Sequence, residues 1–214
     1  MKTSSAGRQL IEQYEGLILG AYDDANDKIV PAGGVVHGTL TIGYGHTSAA
    51  GPPRVTIGQR VTRDQADQIL SSDLVAVEND VTRMVKVPIN QNQFDALVSF
   101  HFNTGSLGKS TILRKLNAGD INGAAGGFDL YTRGRVNGVL VPMAGLVRRR
   151  KDEKSLFLKP AGIGAEQHAA IGTIVAGSVA ASQAPSHLTF FIIAGSIVLA
   201  IVLYETIKYI KGNK

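Results

Sequence analysis

The chain has 214 residues and a formal net charge of +5, and it contains no cysteine. The lack of cysteine excludes a disulfide framework and a thiolate metal site. Mild basicity suits an acidic polymer or an anionic membrane surface, but the basic residues are scattered and tryptophan is absent, so we expect no nucleic-acid partner.

The first part of the chain predicts a short helix followed by a small sheet. Apolar residues recur at helical spacing after Ser4 or Ser5, either of which can cap a helix, and a glycine follows at position 16. We therefore expect a helix that ends near Glu15. Between residues 17 and 44, short apolar runs are broken by Asp, Asn, Pro and Gly, which is typical of a small antiparallel sheet with loops.

The remainder of the first 159 residues predicts helices. Thr62 and Gln65 form a capping-box pattern ahead of a long helix that Pro88 ends. Apolar residues at helical spacing then predict a helix around residues 94–101, another around 112–116 with Gly119 as its cap, and a last helix around 146–156. This order predicts an α+β fold with two lobes joined by the long helix and a cleft between them.

The C-terminal quarter differs in composition from the rest. Residues 160–187 are mostly Ala, Gly, Ser and Gln, which predicts a linker or a weakly apolar helix. Residues 188–204 are uncharged and nearly all strongly apolar. If the Glu205 side chain extends toward the lipid headgroups, the segment 188–207 is long enough for a transmembrane helix. A basic tail at 208–214 follows, and residues 1–159 remain as the globular domain.

Two carboxylates near the first helix are candidates for glycosidic chemistry. Cleavage with inversion needs an acid that protonates the leaving oxygen and a second group that positions water on the opposite face of the sugar. Glu15 at the end of its helix and Asp24, nine residues later, are such a pair. This spacing alone does not distinguish them from solvated surface groups.

Two motifs give this pair a context. The pattern E-G-L-x-L-x-x-Y-x-D at residues 15–24, followed by T-I-G-Y-G-H-T at 41–47, resembles glycoside hydrolase family 24, the phage-type lysozymes or endolysins. The similarity extends to about residue 159 through SFHFNTG at 99–105 and GLVRRRxxE at 145–153. The resemblance implies a lysozyme-like, two-lobed fold that hydrolyses the β-1,4 bond between N-acetylmuramic acid and N-acetylglucosamine in peptidoglycan.

The resemblance also implies catalytic roles. Glu15 matches the general acid, Asp24 the second carboxylate, and Thr41 the threonine that holds the attacking water. The family places about five residues between the last two, whereas sixteen intervene here, from 25 to 40. We expect this insertion to form a longer hairpin or loop over the cleft, and Asp23 or Asp27 remains an alternative to Asp24.

Further residues follow from the same motifs. Glycines inside an apolar strand mark the close approach of a ligand or of another backbone, and together with the resemblance they give a predicted substrate site at Tyr44, Gly45 and Asn103. The resemblance also implies that one arginine of 148–150 reaches the catalytic glutamate or the sugar; Arg149, on the same helix face as Glu153, is the first candidate. His46 and Asp73 are expected to form a structural pair. The five histidines lack ligand spacing on one element, so we expect neither a metal nor a cofactor.

The tail predicts an orientation in the membrane. Lysines at 208, 211 and 214 follow the apolar segment, which favours a cytoplasmic C-terminus and a lysozyme domain on the peptidoglycan side. The first eight residues have no apolar stretch, so no secretory signal is expected. Export then has three routes: a second weak span at 169–181, release by a holin or another lysis protein, or a virion that carries its own membrane.

A different class of function also fits these features. A lysozyme-like fold on a membrane anchor can serve as a peptidoglycan-binding or localisation module without catalysis. Loss of the acid or of the threonine would favour such a module. Because Glu15, Asp24 and Thr41 are all present, the sequence favours the enzyme.

Overall fold

A computed structural model describes residues 1–136 and 138–160 of the protein. The α-helices are α1 Ser5–Glu15, α2 Arg63–Met84, α3 Gln91–Thr104, α4 Thr111–Asn117, α5 Ile121–Gly127 and α6 Ala144–Leu158. The strands are β1 Ile18–Asp23, β2 Lys28–Ile29, β3 Leu40–Gly43, β4 His46–Thr47, β5 Arg133–Val136 and β6 Val139–Pro142. Short 3-10 helices cover Leu107–Lys109 and Phe128–Leu130.

The first four strands form one antiparallel sheet in the order β2-β1-β3-β4. Tyr22 of β1 lies opposite Thr41 of β3, so their side chains share one face of the sheet. The sixteen residues between Asp24 and Thr41 turn back on β1 as strand β2, with Asp27 at a φ of 56° in the connecting turn. The hairpin is therefore confirmed, and its position over the cleft stays a prediction.

Side-chain caps fix the helix starts that the sequence predicts. The Ser4 hydroxyl accepts from the N–H of Gly7 at 3.3 Å, which starts α1. Thr62 and Gln65 form the expected capping box, with the Gln65 side chain accepting from the Thr62 N–H at 2.8 Å. The long helix ends at Met84, four residues earlier than Pro88. Gly119, with a φ of 80°, follows the last turn of α4 as its left-handed residue.

Two hydrophobic cores divide the described part of the chain. The large core joins residues of α1 to α6, with aromatic contacts among Phe100, Phe128, Tyr131 and Phe157. The small core consists of Ala21, Ile42 and Val55 beneath the sheet. Because α1 buries Ile11 in the large core, the end of α1 is positioned by the helical region. The α+β prediction of a small sheet and a helical region is confirmed.

Two elements are not predicted by the sequence patterns. Helix α5 and the β5–β6 hairpin lie between α4 and α6. The predicted linker from residue 161 onward, the membrane helix at 188–207 and the basic tail lie outside the described residues. Within residues 1–136 and 138–160, none of the helices has the length and apolarity needed to cross a bilayer.

Candidate active site

Glu15 is the last residue of α1 and pairs directly with an arginine of α6. Its Oε1 accepts from Arg149 Nη1 at 2.6 Å, and its side chain is 21% exposed. Gly16 ends the helix with a φ of 70°, and its N–H bonds to the Glu12 carbonyl at 3.1 Å. Glu15 is thus fixed at a helix end while remaining reachable by solvent.

Arg149 is itself held by buried groups. Its Nε donates to Glu153 Oε1 at 3.1 Å and its Nη2 to the Ser99 carbonyl at 3.3 Å, and only 4% of its side chain is exposed. The Ser99 hydroxyl also donates to Glu153 at 2.8 Å. Arg149 therefore presents a preset guanidinium to Glu15.

Glu153 is the centre of this buried network. It is fully buried, and Arg150 Nε lies 2.8 Å from its Oε2 as an ion contact without hydrogen-bond geometry. Burial raises the pKa of the Glu153 carboxyl, although Arg150, Ser99 and Arg149 act in the opposite direction. Burial likewise lowers the pKa of Arg150. Burial disfavours both charged groups and each is stabilised by the other, so the Glu153 carboxylate and the Arg150 guanidinium depend on each other inside the protein.

A second contact joins the end of α1 to α6. The Tyr14 hydroxyl donates to Asp152 Oδ2 at 2.5 Å, and the Arg149 guanidinium carbon lies 5.5 Å from the centroid of the Tyr14 ring. Burial, together with the hydrogen bond to Asp152, raises the pKa of Tyr14 to about 12. Tyr14 and Glu15, which are adjacent in sequence, thus both bind α1 to α6.

The sheet meets Glu15 at the turn between β3 and β4. Gly45 has a φ of 86°, and a Cβ atom built there would lie 3.8 Å from Glu15 Oε2. The left-handed φ favours glycine, and the backbone of this turn lies beside the carboxylate. The turn therefore places Gly45 beside Glu15 and its partner Arg149, so three of the predicted residues lie close together.

Asp23 is committed to the backbone of the insertion. It is 2% exposed and accepts from the N–H groups of His37 at 2.7 Å, Gly38 at 2.8 Å and Ala25 at 3.1 Å. These bonds, with that from His37 the strongest, lower the pKa of the Asp23 carboxyl. These bonds indicate that Asp23 stabilises the backbone that follows it.

Asp24 has the opposite environment. It is exposed, and its Oδ1 accepts from the Thr39 N–H at 2.5 Å. Its Oδ2 has no hydrogen-bond partner among residues 1–136 and 138–160. Asp27 is also exposed, but it lies in the turn that leads to β2. Of the three aspartates, Asp24 best combines a fixed position with a free oxygen.

Thr41 and Tyr22 lie side by side on the sheet. Thr41 is buried, and its hydroxyl donates to the Thr39 carbonyl at 3.1 Å. Tyr22, directly opposite, is 9% exposed. Burial raises the pKa of the Tyr22 phenol, and the carboxylates of Asp27, Asp24 and Glu15 raise it further. Tyr22 thus lies beside a predicted site residue, although the sequence motifs did not assign it to the site; its pairing with Thr41 across two strands is a long-range contact.

The remaining predicted residues have mixed placements. Asn103 is exposed, and its Oδ1 accepts from Arg150 Nη2 at 3.0 Å, which leaves the amide nitrogen free to turn outward. Tyr44 is 4% exposed in the large core, and its hydroxyl donates to Asp67 at 3.0 Å. Tyr44 therefore packs in the core of the helical region, and its contact with a substrate stays a prediction.

The structure contains the expected pair of His46 and Asp73. Nδ1 of His46 lies 2.9 Å from Asp73 Oδ2, and Nε2 lies 2.8 Å from the Pro53 carbonyl. Both ring nitrogens are therefore engaged, and His46 is 2% exposed. The pair ties β4 to α2 and to the loop before it.

Comparison with known proteins finds a matching family model and several relatives. Residues 12–153 match the family model described as Phage lysozyme. An endolysin of Acyrthosiphon pisum secondary endosymbiont phage 1 is 39% identical over 159 residues, covering 73% of this chain and 98% of the relative. The endolysin of Salmonella phage P22 is 36% identical and covers 74% of this chain and 99% of the relative.

Solved structures agree with these matches. The muramidase domain of SpmX from Asticaccaulis excentricus aligns with a TM-score of 0.63 at 41% identity, covering 74% of this chain and 99% of that domain.

A protein named SAR-endolysin from Escherichia phage Mu is 41% identical over 91 residues, which cover 42% of this chain and 50% of the relative.

Proposed function

Since the chain belongs to the phage lysozyme family and is a peptidoglycan-hydrolysing muramidase, we propose that Glu15 is the general acid of its reaction. Glu15 protonates the glycosidic oxygen as the bond between the two amino sugars breaks. The observation that carries this role is the position of Glu15: a partly exposed carboxyl at the end of α1, beside the backbone of Gly45, where a glycan strand can approach closely. The 2.6 Å contact with Arg149 fixes that position.

Arg149 is a positioning residue for this acid. Its guanidinium is shared between Glu15 and the buried Glu153, so it cannot follow Glu15 into solvent. A positioned acid contributes to catalysis because the proton donor then requires no reorganisation as the bond breaks. The exposed Asn103 amide, oriented by Arg150, is a donor for a substrate carbonyl at the same end of α3.

Asp24 and Thr41 hold the attacking water on the sheet side. The free Oδ2 of Asp24 accepts a proton from water, and its negative charge stabilises the positive charge that develops on the sugar. The Thr41 hydroxyl donates to the Thr39 carbonyl, so its oxygen accepts a hydrogen bond from the same water. Attack from the face opposite the acid inverts the anomeric centre.

Replacing the acid tests this proposal. Glu15→Gln preserves the shape of the side chain but cannot donate the proton, so turbidity clearing of chloroform-treated Gram-negative cells should slow by about 10²- to 10⁴-fold. Glu12→Gln is the matched control, since Glu12 lies on the same helix and pairs with Arg8 at 2.6 Å. Equal clearing by Glu15→Gln and wild type would refute the role of Glu15. Mass analysis should find reducing ends rather than anhydro sugars.

We further propose that residues 1–159 are the catalytic domain and that residues 188–207 anchor it to a membrane through the linker at 160–187. The uncharged apolar run at 188–204 and the lysines of the tail at 208–214 support this division. The orientation places the domain on the peptidoglycan side, with a holin or another lysis protein as the partner that releases it.

Protease accessibility in spheroplasts tests the orientation. Added protease should remove the domain while a tag fused after residue 214 stays protected. Protection of both ends would place the domain in the cytoplasm. Digestion of both ends would exclude a cytoplasmic C-terminus.

A further inference from the structure

Helix α6 carries a run of consecutive cations that fall into two classes. Arg149 and Arg150 are buried against carboxylates. Arg148 and Lys151 are exposed, and neither forms an ion pair with any residue in the described part of the chain. Because they lie three positions apart on a helix, their side chains share one face. These two charges are therefore available to a ligand.

The two exposed cations line a cavity between α1 and α6. Its volume is about 580 Å³, which lies in the range of sites that hold small ligands. A Cβ atom built at Gly145 would have no other atom within 4 Å, so the cavity is open above this residue. The cavity is lined by two residues of α1 and four of α6: Gln13, Tyr14, Gly145, Arg148, Lys151 and Asp152.

The cavity adjoins the proposed acid. Tyr14 forms part of its wall, and the next residue of α1 is Glu15. On α6, Arg148 is followed by Arg149, whose guanidinium carbon lies 5.5 Å from the centroid of the Tyr14 ring. Arg149 in turn bonds to Glu15 at 2.6 Å, so one aromatic ring separates the cavity from this pair. A polymer whose scissile bond lies at Glu15 can therefore extend a substituent into the cavity.

The charges of the cavity favour an anion. Arg148 and Lys151 face a single carboxylate, that of Asp152, whose Oδ2 already accepts from the Tyr14 hydroxyl at 2.5 Å. Burial, together with the contact to Asp152, raises the pKa of Tyr14 to about 12, so the phenol adds no negative charge at neutral pH. One positive charge is left in excess, and the exposed Gln13 amide offers an N–H donor beside it.

The substrate carries one class of anion close to the cleaved bond. N-acetylated sugars are uncharged, whereas the peptide attached to N-acetylmuramic acid ends in carboxylates. Carboxylates form charge-assisted hydrogen bonds with guanidinium and ammonium groups. Because N-acetylmuramic acid is one of the two sugars at the cleaved bond, its peptide lies within reach of residues that adjoin Glu15. The peptide is thus the part of the substrate that matches the cavity in charge and position.

We propose that Arg148 and Lys151 bind a carboxylate of the stem peptide in the cavity between α1 and α6, and that the Gln13 amide donates to the same peptide. The cavity is then a subsite for the peptide part of the substrate, beside the cleft that binds the sugars. This inference rests on the proposed position of the scissile bond at Glu15. It assigns the two cations to substrate affinity and gives them no part in proton transfer.

Two soluble substrates that differ only in the peptide test this subsite in the full chain. Glycan strands that carry stem peptides are compared with the same strands after an amidase has removed the peptides. Arg148→Gln with Lys151→Gln should raise KM for the peptide-bearing strands by about four- to 25-fold at unchanged kcat, since each exposed ion pair contributes roughly two- to fivefold. KM for the peptide-free strands should not change.

A control variant and the catalytic variant complete the test. Arg83→Gln with Lys86→Gln removes the same charge from exposed positions near the end of α2 and should leave both KM values unchanged. An unchanged KM for peptide-bearing strands, an equal rise with both substrates or an equal rise in the control would overturn the proposal. Failure of the catalytic proposal is distinct, because Glu15→Gln should lower kcat with both substrates, whereas the subsite is measured in KM with Glu15 in place.

Discussion

The helical side and the sheet side of the site hold their functional groups in different ways. On the helical side, Glu15 is fixed by Arg149, which is in turn bound to the fully buried Glu153. On the sheet side, Asp24 is exposed and Thr41 is fixed by strand register and one hydroxyl bond. Buried charges position Glu15, the proposed acid, whereas the backbone positions Asp24 and Thr41, the proposed water-holding groups.

This difference predicts different costs of substitution. Loss of a buried ionic partner leaves uncompensated charge in the core and lowers the free energy of unfolding. Loss of an exposed catalytic side chain lowers the rate but leaves packing intact. Variants on the two sides should therefore separate into those that change stability and those that change activity alone.

The largest effect is expected at the centre of the buried network. Glu153→Ala leaves Arg149 and Arg150 without their shared carboxylate and should lower the free energy of unfolding by about 3–5 kcal/mol. Calorimetry should record a fall in melting temperature on the order of 10 °C. Asp129→Asn breaks the exposed pair with Lys154 and should cost less than about 1 kcal/mol. Similar melting temperatures for the two variants would show that the buried network does not stabilise the protein.

Asp24→Asn should show the reverse behaviour. We expect hydrolysis of sacculi to fall by about 10²- to 10³-fold with little change in melting temperature, because the side chain is exposed. Asp23→Asn should lower the melting temperature, since three N–H groups lose a charged acceptor, while more activity remains. If Asp23→Asn abolishes activity in a stable protein, Asp23 is the second carboxylate.

A smaller loss is expected at Tyr22. Tyr22→Phe removes only the hydroxyl that lies on the same sheet face as Thr41, and hydrolysis should slow by about three- to tenfold, the value of one hydrogen bond. Tyr131→Phe is the control, because its hydroxyl accepts from the Thr111 N–H at 3.1 Å in the helical region. Equal rates for both variants would limit the water-holding group to Asp24 and Thr41.

The smallest effect concerns the dependence of stability on pH. Because hydrogen bonds lower the pKa of Asp23 below its ordinary value of 3.8, its contribution is present above that value and is lost as the pH falls below it. Between pH 6 and pH 3 the melting temperature of wild type should fall further than that of Asp23→Asn. Parallel curves would show that Asp23 contributes nothing to acid stability. Glu78 and Asp120, which also have lowered pKa values, affect both proteins alike.

Local patterns predicted those elements whose signals lie within one turn or one helix. The capping box at Thr62 and Gln65 and the end of α1 at Glu15 are examples. Helix α5 was missed because its sequence INGAAGG contains three glycines, which disfavour a helix. Gly127 is required by packing, since a Cβ there would lie 2.9 Å from Ile112.

The β5–β6 hairpin was missed for a different reason. Its strands read RGRV and VLVP, and exposure on both faces removes the alternation that identifies a half-buried strand. Contacts between residues far apart in the sequence could not be predicted from local patterns either. Asp23 and Asp24 are adjacent in sequence, and they differ in burial and in the bonds that His37 and Gly38 donate to Asp23.

The stereochemistry of cleavage tests the central claim, that Glu15 donates a proton from the helical side while the sheet side holds water. Proton NMR should follow the new reducing end during rapid hydrolysis of soluble peptidoglycan fragments, before mutarotation. Direct attack by water on the β-linked sugar predicts the α-anomer as the first product. Initial appearance of the β-anomer would require a covalent intermediate or a second inversion and would contradict the account.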